Sequence, residues 1–379
     1  MRTIKNFFYR LFMWFCYIIR DRKAKSVFFC SFHGQYSDNP RAISECLHKL
    51  APEIDQIWLL TKKNEKYAPN YVKVVYPETF MALIKQAQSK IWVLNDVYSR
   101  KGRIYKGKKT FYIQTWHGDR GIKRIGYLKD KSNRANTNGP DLSKCDLYVV
   151  ASEYGEKKAR FGQRYEGEFI KEGMPRNDKL VNVGQYANEI SKIKEKLEIE
   201  KGKKILLYAP TFRDGFAKKQ KCIIDVKQSL GSLSRTGEEW VCLIRAHSNS
   251  MGLVSNGSEA VDVTTYPDMA DLLLISDALI TDYSSCAGDF VLTGKPVILV
   301  HFDQEIYQTT SRTLWVSPNE IGYLIANNQE ELNKILSNLN SYNHKSISGH
   351  VQNFYKTYET GHSSEYLAKR IIKEINSSF

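Results

Sequence analysis

The sequence is poor in the residues and patterns that organise small or metal-bound folds. Its 379 residues include seven cysteines, an odd number, and no two of them stand at a Cys-x-x-Cys spacing. This distribution argues against a disulfide framework and against a structural zinc site, and it is typical of a chain in a reducing cytosol. No repeat or low-complexity segment is visible, so we expect ordinary globular domains.

Several common active-site patterns are also missing. The sequence has no Walker loop, no Gly-x-Gly-x-x-Gly fingerprint, no Ser/His/Asp elbow and no His-x-x-x-His metal pair. It has no Cys/His zinc finger, no glycine-aromatic RNA-binding signature and no long basic tail, which argues against nucleic acid as a partner. Lys and Arg nevertheless number 56 against 41 Asp and Glu, a net charge of +15. This excess of positive charge predicts that the protein binds an anionic membrane surface or a phosphate-rich substrate.

The N-terminal segment is apolar but short. The uncharged run Leu11–Ile19 is about half the length that spans a bilayer, and the charged residues 20–23 that follow do not fit a signal cleavage site. Apolar side chains recur at helical spacing beside Arg2, Lys5 and Arg10, namely at Phe7, Phe8, Leu11, Trp14, Phe15 and Ile18. We predict an amphipathic helix within residues 1–25 that lies in the membrane interface. The alternative is a first helix packed into the core.

From residue 26 onward, short β-rich runs alternate with helical patterns, which predicts parallel sheets covered on both faces. The predicted strands are Val27–Phe32, Gln56–Leu60, Val72–Val75, Ile91–Leu94, Thr110–Gln114, Leu147–Ala151, Ile205–Tyr208, Val241–Arg245, Ala278–Thr281 and Val297–Val300. We predict an α/β protein of two doubly wound, Rossmann-type domains, 26–180 and 181–360, facing a central cleft. Residues 361–379 would form a helix that packs back toward the first domain.

Five polar clusters follow predicted strands or the domain crossover, at residues 115–120, 173–178, 208–214, 245–247 and 281–285. Strands of parallel sheets end at the ligand-binding edge, so these clusters would face the cleft. His117 has the side chain of a general base or a phosphate donor, although a single histidine at a strand end is more often structural. The cluster at 173–178 also fits a turn that ends one domain.

Three of the clusters contain side chains that suit phosphate oxygens. Arg176 has a guanidinium that can bind phosphate through two donors. Pro210 forces a turn that exposes Thr211. Ser284 or Ser285 can cap a following helix whose start suits a phosphate, with Asp289 one turn further along. Capping alone would also explain the two serines. Together the clusters predict a site for a nucleotide diphosphate substrate.

The five clusters, in this order, resemble the CDP-glycerol glycerophosphotransferase family of teichoic acid and capsule synthesis. The matching motifs are Trp-His-Gly at 116–118, Pro-Arg-Asn-Asp at 175–178, Tyr-Ala-Pro-Thr-x-Arg-Asp at 208–214, Arg-x-His at 245–247, and the segment from Asp271 to Ser285. The resemblance implies a GT-B fold and transfer of glycerol phosphate or ribitol phosphate from a CDP-activated donor to a hydroxyl of a lipid-linked, undecaprenyl-type acceptor, with release of CMP.

The resemblance also implies the site residues. His117 and His247 correspond to the family's two important histidines. The residues expected to line the CDP-polyol site are Trp116, His117, Gly118, Asp119, Arg120, Arg176, Pro210, Thr211, Arg245, Ala246, His247, Ser284, Ser285 and Asp289. We expect no metal and no cofactor besides the donor substrate. The expected location is the cytoplasmic face of the membrane, as a peripheral protein.

The sequence departs from the family pattern beside the proposed reacting groups. Asp119 and Arg120 stand where many members have Thr-Pro, and Ser248 stands where proline is common. These departures leave open which polyol is transferred. A large N-terminal extension found in some polymerising members does not precede the motifs, which is compatible with a priming transferase. A glycosyltransferase that uses a nucleotide sugar, and a non-catalytic membrane-docked binding protein, are the alternative functions.

Overall fold

The structure is a computed structural model that describes residues 2–21, 23, 25–96, 105–128, 142–211, 224–246 and 260–377. It contains two parallel sheets, one in each half of the chain. The strands of the first sheet are β1 (Ser26–Cys30), β2 (Asp55–Leu59), β3 (Lys73–Val75), β4 (Ile91–Leu94), β5 (Phe111–Gln114), β6 (Leu147–Val149) and β7 (Glu168–Ile170). The strands of the second are β8 (Lys204–Ala209), β9 (Trp240–Ile244), β10 (Ala260–Asp262), β11 (Ala278–Thr281), β12 (Val297–Val300) and β13 (Leu324–Ala326).

Helices cover both sheets. They are α1 (Arg2–Ile18), α2 (Asp38–Leu50), α3 (Phe80–Gln88), α4 (Glu153–Gln163), α5 (Asp178–Val181), α6 (Ala187–Lys196), α7 (Val226–Leu233), α8 (Met269–Ile275), α9 (Cys286–Phe290), α10 (Gln304–Thr310), α11 (Pro318–Ile321), α12 (Gln329–Ser337), α13 (His344–Tyr355) and α14 (Ser363–Asn376). The predicted α/β class with two doubly wound sheets is confirmed.

Each sheet has a switch point where the order of its strands reverses. The first sheet runs β3-β2-β1-β4-β5-β6-β7 and the second β10-β9-β8-β11-β12-β13. The reversals lie between β1 and β4 and between β8 and β11. Ligands of such sheets bind outside the carboxyl ends of the strands at these positions. The loops after the strands at the two reversals are therefore the expected walls of a site.

The chain crosses between the two halves twice, at neighbouring places. It leaves the first half before α5 and returns to it before α14, whose apolar face (Leu367, Ile371, Ile375) packs into the core of the first sheet. Hydrogen bonds join the two crossings: Asn182 Nδ2 donates to the Gly361 carbonyl over 2.8 Å, and the Ser363 amide donates to Asp178 over 2.9 Å.

Helix α1 has one face in the core and one face in solvent. Met13 and Cys16 are buried, and the Phe12 ring meets Phe80 at the start of α3 with a centroid distance of 5.5 Å. The exposed face carries Phe7, Phe8, Leu11, Trp14, Phe15, Ile18 and, just beyond the helix, Ile19. None of the described helices combines the length and the apolar character that a membrane span requires.

Candidate functional site

A cleft of about 610 Å³ lies between the two halves, at the carboxyl ends of the strands beside both switch points. A volume of this size suits a nucleotide-sized ligand. The predicted site residues that line the cleft are His117, Arg176, Pro210, Thr211, Arg245, Ala246, Ser284, Ser285 and Asp289. Residues from clusters far apart in the sequence therefore meet at one surface, as the strand-end argument predicts.

His117 follows β5 and is held in one orientation. Its Nδ1 lies 2.7 Å from the Asn95 carbonyl oxygen, which follows β4. Because a carbonyl only accepts, Nδ1 carries a proton, and the neutral tautomer with this proton has its lone pair on Nε2. The Trp116 ring stacks on the imidazole at 4.6 Å, and the Phe32 ring meets it edge-on at 5.1 Å. The ring is thus presented as a proton acceptor.

The turn after His117 runs from the cleft into the protein interior. Gly118 lies beside the second half, since a Cβ on it would stand 3.7 Å from Ser285 Oγ. Asp119 is buried, accepts hydrogen bonds from the Ala151 amide and the Ser152 hydroxyl, and does not line the cleft. Burial raises the pKa of this carboxyl, although Arg120 opposes the shift. Asp119, which the sequence predicted to contact the donor, therefore holds the turn in place from the protein interior.

Lys158 of α4 holds the same turn, and no motif in the sequence pointed to it. Its buried Nζ donates to the carbonyl oxygens of Gly118 and Gly121. Burial lowers the pKa of this amine to about 7, against the attraction of Asp119. A lysine on an ordinary helical segment has no recognisable signal, because the carbonyls it meets belong to a loop some forty residues earlier in the chain.

Asp289 is the centre of a buried ionic network between the two halves. Its Oδ1 accepts from Arg120 and Asn177, each over 2.9 Å, and its Oδ2 accepts from Arg176 over 2.8 Å. Burial opposes ionisation, but Arg176 and Arg120 hold the pKa of Asp289 below its ordinary value. Arg120 does not line the cleft, and its side chain is fully buried. The network therefore ties the first half to α9 of the second.

Arg176 lines the cleft, yet its donors are occupied. Nη1 donates to both carboxylate oxygens of Asp38, Nε and Nη2 donate to Asp289, and Nη2 also donates to the His117 carbonyl. A guanidinium has five N–H groups, so this set leaves none for a phosphate. The sequence pattern predicted that Arg176 is a phosphate ligand. The geometry instead makes it a wall of the cleft that would have to exchange a partner to bind an anion.

Glu359 completes the network from the second crossing. It accepts from Arg120 over 2.6 Å, from Asn177 over 2.7 Å and from the Met174 amide over 3.0 Å. Burial raises its pKa to about 7, even though Arg120 favours the ionised form. Sequence reasoning missed Glu359, since it lies outside every motif and reaches the site only because the chain returns to the first half here.

The turns of the second half are held by hydrogen bonds between side chains and the backbone. Both carboxylate oxygens of Asp282 accept from the Thr211 amide, over 2.9 and 3.0 Å, which fixes the turn that Pro210 begins. Arg245 Nη1 donates to the Tyr266 carbonyl over 2.5 Å, and burial lowers the pKa of this guanidinium. These hydrogen bonds fix the loops that carry Thr211 and Arg245 at the cleft.

The two serines lie where α9 begins. Ser285 is the N-cap residue but its hydroxyl makes no capping hydrogen bond, while the Cys286 amide donates to Ser284 Oγ over 3.4 Å. Both side chains line the cleft. His247, Arg213 and Asp214, which the motifs also include, lie outside the described residues.

Further residues line the cleft that the motifs did not indicate. They include Phe32, Asp38, Lys63, Tyr67, Tyr266, Asp268 and Arg312. Asp38 has a left-handed backbone with φ of 63° and pairs with Arg176, while Arg41 joins the halves through Asp268 and Asp271. The described residues contain no group of three or more His, Cys, Asp or Glu side chains placed to hold a metal ion.

Comparisons with known proteins agree with this geometry. The family model of CDP-Glycerol:Poly(glycerophosphate) glycerophosphotransferase matches residues 12–373. A teichoic acid poly(glycerol phosphate) polymerase of Bacillus spizizenii is 31% identical over 93% of this chain and 92% of its own length. A teichoic acid poly(glycerol phosphate) polymerase of Staphylococcus epidermidis is 30% identical over 93% of this chain, which spans only 51% of that protein.

A solved structure is similar over nearly the whole chain. It is the wall teichoic acid polymerase TagF in a histidine-to-asparagine variant soaked with CDPG, with a TM-score of 0.82, 26% identity, and coverage of 99% of this chain and 97% of that one. The predicted fold and the predicted enzyme class, a transferase of polyol phosphate from a CDP donor in teichoic acid synthesis, are confirmed at the level of the family. The chain belongs to the CDP-glycerol:poly(glycerophosphate) glycerophosphotransferase family.

Proposed function

We propose that this chain transfers a polyol phosphate from a CDP-activated polyol to an acceptor hydroxyl within the cleft, with His117 as the general base. The observation that carries the proposal is the hydrogen bond from His117 Nδ1 to the Asn95 carbonyl, which leaves Nε2 as the proton-accepting atom. The similar TagF structure was soaked with CDPG, and this supports the choice of a CDP-activated donor.

The proposed step is an in-line displacement at the phosphorus bonded to the polyol. His117 Nε2 takes the proton of the acceptor hydroxyl as its oxygen forms the new P–O bond. The P–O bond to the CMP phosphate breaks, and CMP leaves with that oxygen and its electron pair. Such transfers depend mainly on positioning and on neutralisation of charge. The rigid ring held between Trp116 and Phe32 supplies the positioning.

The second half would hold the CDP portion of the donor. Thr211, Arg245, Ser284 and Ser285 line that side of the cleft and lie at the switch point of its sheet or beside it. Hydroxyl groups and a cation at strand ends suit a diphosphate and a ribose. His247 stays a predicted phosphate ligand, and the prediction that neither metal nor other cofactor is needed also stays open to test.

The test is CMP release from CDP-glycerol and from CDP-ribitol, with and without a lipid-linked disaccharide acceptor. We expect acceptor-dependent CMP release with one of the two donors. His117→Asn should lower kcat by about 10²- to 10⁴-fold, the usual contribution of a general base. His33→Asn is the matched control, since His33 pairs with Asp96 near the cleft without lining it. Near-normal turnover of folded His117→Asn would disprove the assignment.

We also propose that the exposed face of α1 binds the membrane in which a lipid-linked acceptor resides. Phe7 and Phe8 are 62% and 60% exposed, and Phe80 and Met81 at the start of α3 extend the same apolar surface. Several exposed apolar side chains on neighbouring helices are typical of a membrane or partner contact. The other face of α1 is fixed to the protein, so insertion would orient the whole molecule.

Vesicle binding tests this surface. Phe8→Glu/Phe15→Glu should lower the partition coefficient onto phosphatidylglycerol vesicles at least about tenfold, because charge replaces apolar burial. Phe161→Glu is the control, since Phe161 is 61% exposed on α4 and lies outside the patch. Equal partitioning of the double variant and the wild type in a sedimentation assay would rule out this face as the membrane contact.

A further inference from the structure

The two aromatic residues whose rings contact the His117 imidazole have an unusual backbone. Phe32 has a φ of 42° and Trp116 a φ of 50°, in the left-handed region that bulky residues rarely adopt. Such conformations cost free energy and persist only where neighbouring groups hold them. Because the Phe32 ring meets the imidazole edge-on and the Trp116 ring stacks on it, the groups that hold these two residues also hold His117.

A buried carboxamide side chain holds each of the two aromatic residues. The Phe32 amide donates to Asn95 Oδ1 over 3.0 Å, and the Trp116 amide donates to Gln114 Oε1 over 2.8 Å. Asn95 and Gln114 are both 0% exposed, and neither lines the cleft. The same kind of hydrogen bond therefore occurs twice beside the imidazole, once from the loop after β4 and once from the end of β5.

Both carboxamides are themselves fixed by their amino groups. Asn95 Nδ2 donates to Ser31 Oγ over 3.0 Å, and Gln114 Nε2 donates to the Tyr112 hydroxyl over 2.8 Å. Because a backbone N–H can only donate, the oxygen of each carboxamide must face the aromatic residue that it holds. The orientation of both side-chain amides is therefore determined by their partners.

Asn95 also lies at the switch point of the first sheet. Phe32 follows β1 and Asn95 follows β4, and the order of the strands reverses between these two strands. Their hydrogen bond joins the two loops that border the place where such sheets bind ligands. The Asn95 carbonyl in turn accepts the Nδ1 proton of His117. One residue thus connects the switch point with the proposed general base.

We infer that Asn95 and Gln114 are positioning residues for the transfer reaction, which hold His117 in the orientation and the tautomer that present the Nε2 lone pair. The inference rests on the proposed function and deepens it, because it names what determines the state of the base. Without the carboxamide oxygens, Phe32 and Trp116 would return to an ordinary backbone conformation and displace the imidazole. His117 Nδ1 would then lose the Asn95 carbonyl, and the neutral ring would also carry its proton on Nε2.

Variants of nearly the same shape test the role of the carboxamide oxygens. Gln114→Met and Asn95→Leu remove the acceptors and keep most of the buried volume. We expect kcat for CMP release to decrease about 10- to 100-fold, because a small displacement of a reacting group has an effect of this order. KM for the donor should change less than about twofold, since neither side chain lines the cleft. The matched control is Gln56→Met, which removes a buried carboxamide of β2 that is bonded to Ser44.

NMR of isotope-labelled histidine rings reads the tautomer directly and needs neither donor nor acceptor. At about pH 8, where a histidine is ordinarily neutral, the wild type should show His117 protonated on Nδ1, with the signal assigned by its loss in His117→Asn. The shifts in Gln114→Met and Asn95→Leu should move toward the tautomer protonated on Nε2. Each variant decides the role of its own residue. An unchanged tautomer in the folded variant, or the same change in Gln56→Met, would overturn that role whatever the value of kcat.

Amide hydrogen exchange in the wild type tests the inference even if a variant fails to fold. The amides of Phe32 and Trp116 lie outside helices and strands, where amides commonly exchange fast. Since both are bonded to buried oxygens, we expect them to exchange at least about 100-fold more slowly than unprotected amides. Less protection than this would overturn the inference. If the wild type releases no CMP from either donor, the proposed function fails, and the NMR and exchange measurements still decide whether the carboxamides hold His117.

Discussion

Two sets of cations surround the same cleft, and they differ in what they bind. Arg120 and Arg176 are buried and each contacts at least two carboxylates. Lys66 and Lys196 are exposed and, among the described residues, rest on tyrosine rings with no carboxylate partner. A buried charge needs a partner of opposite charge, whereas an exposed charge is solvated by water and stays accessible to a ligand. The net charge of +15 therefore includes two kinds of cation, buried arginines that are paired with carboxylates and exposed lysines that, in the described part of the chain, are not.

The largest expected effect comes from breaking the buried set. Asp289→Asn keeps the shape of the side chain but leaves Arg120 and Arg176 with less negative charge beside them. Removing one partner of a buried ion pair costs about 3 to 5 kcal/mol, so we expect the free energy of unfolding to decrease by about that amount. Urea unfolding followed by circular dichroism at about pH 7.5 measures it.

The exposed Lys66 supplies the control for this experiment. Lys66→Gln should change the free energy of unfolding by less than about 0.5 kcal/mol, as is usual for exposed sites. A similar destabilisation in both variants would show that the two sets of cations do not differ in the way the geometry indicates. If Asp289→Asn is as stable as the wild type, the buried network does not hold the two halves together.

A smaller effect is expected from Glu359, and it depends on pH. The pKa of this carboxyl is about 7 in the folded protein against an ordinary 4.5, because burial outweighs Arg120. Between these values the folded chain binds more protons than the unfolded chain, so the free energy of unfolding decreases as pH rises from about 4.5 to 7. The Glu359→Gln variant has no titrating carboxyl at this position, so its free energy of unfolding should decrease less over this pH range.

Unfolding of the wild type and Glu359→Gln at about pH 5 and pH 8 measures the difference. We expect the variant to gain on the order of 3 kcal/mol relative to the wild type between the two pH values. Glu365→Gln is the control, because Glu365 is exposed on α14 and pairs with Lys369. Parallel pH profiles for the wild type and Glu359→Gln would mean that Glu359 is ionised throughout the range.

Much of the fold could be predicted because the central strands are continuous apolar runs. Ile91–Leu94, Ala278–Thr281 and Val297–Val300 were predicted with the bounds that the structure has. The strands Glu168–Ile170, Ala260–Asp262 and Leu324–Ala326 were missed. Each has three residues and lies at the edge of its sheet, where one neighbour is lacking and a strand needs no long apolar run.

The site was predictable only in part, for a related reason. Position after a strand placed His117, Thr211 and Ser285 at the cleft, because parallel strands end together. The sequence does not show which side chains turn inward. Arg120 and Arg176 lie in motifs that look alike, but their partners Asp289 and Glu359 come from distant parts of the chain. The domain limits at residues 180 and 360 stay predictions.

The two neighbouring crossings between the halves also determine how the cleft can open. A single connection would let one half twist freely against the other, but two connections joined by Asn182 and Asp178 define one hinge line. Rotation about that line would change the distance between His117 on the first side of the cleft and Ser284 and Ser285 on the second.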